Sequence, residues 1–277
     1  MLFRSSETTD EVLARAGSRY APTAPLAGLT AALDRQEPFA IIAKPCDLSA
    51  VHAYSAIDAR VNKYCVARLT FVCGGQSKMS KSQLVLDEHG VVEKDITLFR
   101  YRGFGNPGPT RVQTEDGRVF DKTYLEQWED EATWDLETRC KLCPDALGEA
   151  ADIAIADVWP GGAPSGEDEG FSAAIVRTVA GVELLNSAVA ADAIVLGDPL
   201  TPDDLNDFQP HQTRKKYALA ARYRAMNDSG LPTMQTERLR IESLGEKLDQ
   251  AQRDSEYSGT LQRIRNGRFD EELSEES

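Results

Sequence analysis

The residues best equipped for chemistry in this chain are its five cysteines, and their spacing is uneven. Cys140 and Cys143 form a Cys-Lys-Leu-Cys pair followed by Pro144, while Cys46, Cys65 and Cys73 stand singly. Two thiolates so close in sequence can grip one metal centre, and remote cysteines must complete it. Zinc sites usually bring a second close pair, which is missing here. Iron–sulfur clusters accept dispersed ligands and Cys-Pro endings. The pattern points first to an iron–sulfur cluster, hence to electron transfer, with a zinc site or no metal as the other readings. Cys46 and Cys73 end apolar runs beside turn residues, where amides can reach cluster sulfurs. Cys65 opens an apolar strand and reads as an ordinary buried thiol. The expected ligands are therefore Cys46, Cys73, Cys140 and Cys143.

The elements that must position these residues alternate in type. Helical spacing runs from Thr9 to Ala16 and from Leu26 to Asp34, and the first 36 residues read as a helical lead-in. Apolar runs at 39–43, 66–72, 96–102, 151–157 and 173–178 read as strands. Asp116-Gly117, between the β-prone runs 110–114 and 118–120, is a hairpin signal. A helical pattern resumes at 48–53 and again at 182–190. Residues 37–212 thus read as an α/β core, a mixed sheet flanked by helices. Beyond Gln209-Pro210 the chain turns charge-rich and helix-prone, at 213–227 and 236–266. Residues 213–277 are expected to be a helical C-terminal arm, partly disordered, ending in a solvated acidic tail at 269–277.

Bulk properties narrow the function classes. The chain has 277 residues, 41% of them hydrophobic, enough for one large core or two modest ones. Its formal charge of -14 repels a phosphate backbone, so nucleic-acid binding is not expected. Mean hydropathy is -0.40, and no apolar run approaches the roughly 20 residues that span a bilayer. The polar start, Arg4-Ser5-Ser6-Glu7, gives no secretory signal, so the cytoplasm is the expected compartment. There, thiols stay reduced, which favours metal binding over disulfides.

Gly103-Phe104-Gly105-Asn106-Pro107-Gly108 matches the dinucleotide fingerprint by letter. Its context does not, because Pro109 and a β-prone run follow where a helix should open. A Rossmann fold is not expected; the stretch reads as bare backbone lying against a flat ligand, with Arg100 and Arg102 on one strand face to meet anionic groups. Asp157, at the end of an apolar strand, reads either as a turn cap or as a cofactor ligand at the carboxyl edge of a sheet. Residues 161–170 form an acidic loop suited to a lid. His52, His89 and His211 have no carboxylate spacing that suggests a triad.

Several segments occur in a telling order: Lys44-Pro45-Cys46-Asp47, Phe71-Val72-Cys73-Gly74-Gly75, Phe99-Arg100-Tyr101-Arg102-Gly103 with Pro107-Gly108, Cys140-Lys141-Leu142-Cys143-Pro144-Asp145, the run Ala151 to Trp159, Gly170-Phe171-Ser172, and Val176-Arg177-Thr178. Taken together, from about Ser5 to about Gln212, the chain resembles the coenzyme F420 hydrogenase/dehydrogenase beta-subunit family. That resemblance implies an FAD flavoprotein with one 4Fe-4S cluster, passing electrons between a hydride carrier such as coenzyme F420, or an organic substrate, and a one-electron partner such as ferredoxin or another subunit. It places the cluster on Cys46, Cys73, Cys140 and Cys143. By position it implies flavin contacts at Gly74, Gly75, Ser77, Lys78, Arg102, Gly103, Asp157, Arg177 and Thr178. Asn106 and Gln76-Ser77 depart from residues common in relatives. The rival reading is a non-catalytic, metal-stapled α/β module that docks a partner subunit through its C-terminal helices.

Overall fold

The computed structural model describes residues 5–103, 105–162, 164 and 170–270. Its elements run α1 (Thr9–Ala14), α2 (Leu29–Asp34), β1 (Phe39–Ile42), α3 (Pro45–Tyr54), α4 (Arg60–Tyr64), β2 (Cys65–Phe71) and α5 (Met79–Glu88). Then follow β3 (Ile96–Arg100), β4 (Thr110–Thr114), β5 (Val119–Lys122), α6 (Tyr124–Trp128) and α7 (Thr138–Lys141). The remainder is β6 (Ile153–Asp157), β7 (Ser172–Val176), α8 (Val179–Ala190), α9 (Pro202–Phe208), α10 (Pro210–Asp228), α11 (Ile241–Gly245) and α12 (Gln250–Arg265). The protein is a mixed α/β fold, as its alternating apolar runs require. Residues 163, 165–169 and 271–277, which carry most of the expected lid and acidic tail, lie outside the described residues.

The first sheet has the order β1-β2-β6-β7. β1, β2 and β6 run parallel, and β7 is antiparallel to β6. Alternation along the strands turns Ile41 and Ala43 inward, where they join Leu29, Leu33, Leu48, Val51 and Val61 in one core. Leu48 and Val51 are fully buried, and each such side chain contributes about 1.5–3 kcal/mol. The same alternation leaves Ile42, Phe71 and Ile155 exposed on the other face. The second sheet, β3-β4-β5, is antiparallel, and its β4–β5 hairpin turns at Asp116-Gly117, where Gly117 takes the positive φ the turn needs. It packs on α5 through Val85, Leu86, Tyr101 and Val112.

The glycine-rich stretch connects β3 to β4 and opens no helix. Gly108 is obligatory there: a Cβ would lie 2.1 Å from the Gly103 carbonyl oxygen, and its φ is +72°. A third core joins Leu142, beside the second cysteine of the pair, to Leu219, Tyr223, Met226 and Ile241 of the C-terminal helices. No helix among the described residues is long and apolar enough to cross a membrane.

Candidate functional site

Parallel pairing sets the C-terminal ends of β1, β2 and β6 along one edge, where ligands of α/β sheets gather. Cys46 follows β1, Cys73 follows β2, and Asp157 closes β6. After β1 the chain enters α3 at once. Pro45 occupies its first turn, where the missing N–H costs nothing, and Asp47 accepts from the Lys44 amide at 3.3 Å and pairs with Lys44 Nζ at 2.9 Å. Cys46 therefore sits inside a helical first turn, not in a free turn as the sequence suggests. Thr70 fixes the two strand ends together, its hydroxyl donating to the Ala43 carbonyl at 2.7 Å. Its methyl faces Gly148, where a Cβ would approach to 2.2 Å.

The turn after Cys73 runs beside the segment leading into α7. Ser77 bridges Leu136, the Glu137 amide donates to the Gln76 carbonyl at 3.0 Å, and the Lys78 amide donates to the Asp135 carbonyl at 2.9 Å. This ladder delivers Cys140 to the glycine turn: the Gln76 amide donates to Cys140 Sγ at 3.3 Å. On the other side, the Cys73 amide donates to the Ala146 carbonyl at 2.9 Å. Asp145 closes the loop after Cys143 by accepting from the amides of Leu147, Gly148 and Glu149 at 3.1, 2.7 and 2.8 Å.

Cys140 and Cys143 lie close enough to act on both Cys46 and Cys73. Burial pushes Cys73 up to about 12, with Cys140 and Cys143 acting in the same direction. Burial, then the Asp47 carboxylate, push Cys46 up to about 11, and Cys143 and Cys140 again add to the rise. Cys143 is raised by burial, against the pull of Lys215. Cys65 stands apart at the start of β2, buried in the first core. Among the described residues, no three His, Cys, Asp or Glu side chains are grouped so as to hold a single metal ion.

Beside the thiols lies a second polar group. Arg102 donates to both Asp157 oxygens, at 2.8 and 3.1 Å, and its guanidinium lies over the rings of Trp159 and Tyr124 at 5.5 and 5.8 Å. Burial opposes the Arg102 charge, but the Asp157 and Tyr20 partners outweigh it and hold its pKa above the usual arginine value. Burial pushes the Tyr124 hydroxyl up to about 12. Gln209 donates to the Asp157 carbonyl at 2.8 Å. Three buried polar atoms here have no partner: Arg102 Nε, the Ser77 hydroxyl and Gln212 Oε1. Gln212 lies against Gly74.

The sequence profile for the C-terminal part of the coenzyme F420 hydrogenase/dehydrogenase beta subunit matches residues 36–201. The chain belongs to that family. A search of curated proteins finds no match. Among solved structures, a chain of the F420-reducing [NiFe] hydrogenase complex from Methanosarcina barkeri is similar in fold, with a TM-score of 0.53 and 18% identity. The match covers 83% of this chain and 76% of that one.

Within this beta-subunit-family fold, the structure gathers Gly74, Gly75, Ser77 and Lys78 around the Cys140 loop. Gly103 precedes the glycine connection, next to Arg102. Arg100 turns away toward the N-terminal segment, reaching the Ala14 carbonyl at 3.5 Å. Arg177 and Thr178 lie at the other end of the sheet, because β7 runs opposite to β6. Arg177 there donates to the Gly148 and Leu147 carbonyls, at 3.1 and 3.0 Å, and Thr178 caps α8. Tyr20, Tyr124, Trp159, Gln209, Gln212 and Lys215 join the site without being singled out from sequence. Trp159 was legible two residues past Asp157; the others come from distant elements and leave no local signal.

Proposed function

We propose that this chain is an iron–sulfur flavoprotein oxidoreductase that passes electrons between a hydride carrier of the coenzyme F420 type, or an organic substrate, and a one-electron protein partner such as ferredoxin or a neighbouring subunit. The observation that carries this reading is positional: in a chain of this family, Cys46 and Cys73 follow β1 and β2 at one sheet edge, and the turn after Cys73 donates its Gln76 amide to Cys140 Sγ at 3.3 Å. Burial disfavours the thiolates of Cys46, Cys73 and Cys143, and a bound cationic centre would offset that penalty. Cys46, Cys73, Cys140 and Cys143 would hold the cluster, with the Gln76 amide directed at the Cys140 sulfur and the Gly75 backbone beside it.

The neighbouring polar group fits FAD. The unpartnered Arg102 Nε, Ser77 hydroxyl and Gln212 Oε1 are acceptors and donors awaiting a polar ligand. Gly74, Gly75, Gly103 and Lys78 would offer bare backbone and charge, and Arg102 would be held in place by Asp157. Arg177 would act by supporting the loop at 147–148, and Thr178 by capping α8 and holding Asp152. When bound, FAD would supply the exchange between two-electron and one-electron chemistry, and the cluster single electrons. The chain's own residues bind, orient and shield these groups. Residues 37–212 would form the redox core, and the helices that follow, to Arg265, an extension of it.

Anaerobic purification with iron, sulfide and flavin quantitation tests this. The expected result is about four irons and four sulfides per chain, with one flavin. A chain that takes up neither iron nor flavin on anaerobic reconstitution would refute the reading.

A further inference from the structure

The first sheet is fully covered on one face only. Parallel strands such as β1, β2 and β6 are ordinarily sheltered by helices on both faces. Here α2, α3 and α4 cover the Ile41 side through Leu33, Val51 and Val61. On the other side, the register aligns Ile42 with Leu69 and Ile153, and Phe71 with Ile155 and Ala174. One helix reaches this side. α8 seats Gly181 so closely that a Cβ would lie 2.5 Å from the Asp152 carbonyl oxygen and 3.1 Å from Val176. Ile153, the register partner of Val176, is buried, while Ile42, Phe71 and Ile155 stay open.

α8 is itself apolar on every side. At about 100° per residue, Val182 and Leu184 stand on opposite flanks and Val179 on the back, with Glu183 the single charge. A helix apolar all round belongs in an interior, yet Gly181 is its one buried residue. After the helix the Ala193 amide turns back to the Ala188 carbonyl, and the apolar run continues through Ile194, Val195 and Leu196. These nine open side chains are 39–96% exposed. They present roughly 800 Å² of apolar surface, above the roughly 300–600 Å² of a typical monomer's largest patch and close to one partner's share of a standard interface. Charge and shape select the occupant. Residues 39–42, 69–71, 153–155 and 172–176 carry no charge, so α8 of a second copy meets no like charge there, although each chain stands at -14. The open strands lack a helix and α8 lacks a sheet; two-fold pairing supplies both, because residue i meets j as j meets i.

We propose that two copies of this chain pair about a two-fold axis, α8 and residues 194–196 of each closing the open sheet face of the other. Sedimentation equilibrium of the full chain at 0.1 M and 1 M NaCl tests this. The expected mass is twice 30.4 kDa, with a Kd of about a micromolar or tighter. Salt should tighten the dimer several-fold: the Debye length falls from about 10 to 3 Å, which screens repulsion between the two acidic chains but not the apolar contact. Val182→Glu and Ile42→Glu, one on each half of the contact, should each raise Kd at least about tenfold. Both positions are exposed, so circular dichroism should stay that of wild type. Val92→Glu, exposed just before β3, should leave Kd unchanged. Should Val182→Glu fail to fold, Val179→Glu gives the same reading. A chain monomeric up to about 100 µM at both salt concentrations overturns the proposal, whatever other protein that face binds. A dimer indifferent to both α8 and Ile42 variants overturns this face as its seat.

Discussion

Thr70 and Gly148 are coupled by contact, and a double-mutant cycle measures that coupling. An alanine at 148 places its methyl carbon 2.2 Å from Thr70 Cγ2, where about 3.5–4.0 Å is comfortable. Overpacking of this kind costs about 1–3 kcal/mol. The φ of +72° adds about 1–2 kcal/mol for any residue with a Cβ. Gly148→Ala should therefore destabilise the metal-free chain by about 2–5 kcal/mol. Thr70→Ser alone removes one buried methyl but keeps the hydroxyl on the Ala43 carbonyl, costing about 1 kcal/mol. In the double variant the clash is gone and only the backbone cost stays, about 1–2 kcal/mol. Thr70→Ser thus changes sign, from destabilising alone to stabilising beside Ala at 148, with an interaction energy on the order of -2 to -4 kcal/mol. Urea unfolding of the four proteins, followed by circular dichroism, reads this directly. Additivity within about 0.5 kcal/mol would refute the steric argument.

Other outcomes follow from the site and its surroundings. Cys140→Ser or Cys143→Ser should abolish iron retention, whereas Cys65→Ser, in the core beneath β2, should retain it; iron assays on anaerobically reconstituted protein decide. Asp157→Asn breaks one arm of the Arg102 fork, whose partners are 14% and 37% exposed, and should cost about 1–2 kcal/mol after solvent screening and weaken flavin binding about tenfold; fluorescence titration with FAD measures the affinity. Arg111 donates to both Asp121 oxygens at 2.7 and 2.6 Å and holds that carboxyl below its usual range. That contribution is present above the unfolded carboxylate pKa of about 3.9 and is lost as pH falls through the lower folded value. Thermal melts should show wild type losing more stability than Arg111→Met between pH 6 and pH 3.

The apolar runs placed all five predicted strand cores and the hairpin, because each was a short run bounded by glycine, proline or charge. Helices α4, α5, α6, α7 and α9 were missed: four of them are too short to show a period, and α5 turns Lys81 and Ser82 inward beside Val85 and Leu86, so its buried face does not read as apolar. Cys46 was expected in a turn, yet Pro45 and Asp47 are themselves the first-turn signature of a helix. The sheet edge holding Cys46, Cys73 and Asp157 was foreseeable from strand ends. Pairing of the Cys73 turn with 135–137 was not, since it depends on an isolated bridge at Ser77. Arg177 matched a motif by position, but strand direction, invisible in the sequence, sends it to the opposite end. The hydrogen bonds from Lys216 to the Pro144 carbonyl and from Tyr223 to the Leu142 carbonyl, at 2.5 and 2.8 Å, were equally hidden, because a charged helix reads as solvated until its partner is known.

The order of segments bears on biosynthesis. Cys46 and Cys73 leave the ribosome before the whole antiparallel sheet β3–β5, and Cys140 and Cys143 only after it. The helix that clasps the loop emerges later still. A nascent chain therefore carries two of the four proposed ligands throughout the making of an intervening subdomain. On the iron–sulfur reading proposed above, a centre could not be completed until Cys143 has been made, and a chain stalled before Cys140 would hold two thiols with no partners to close the set.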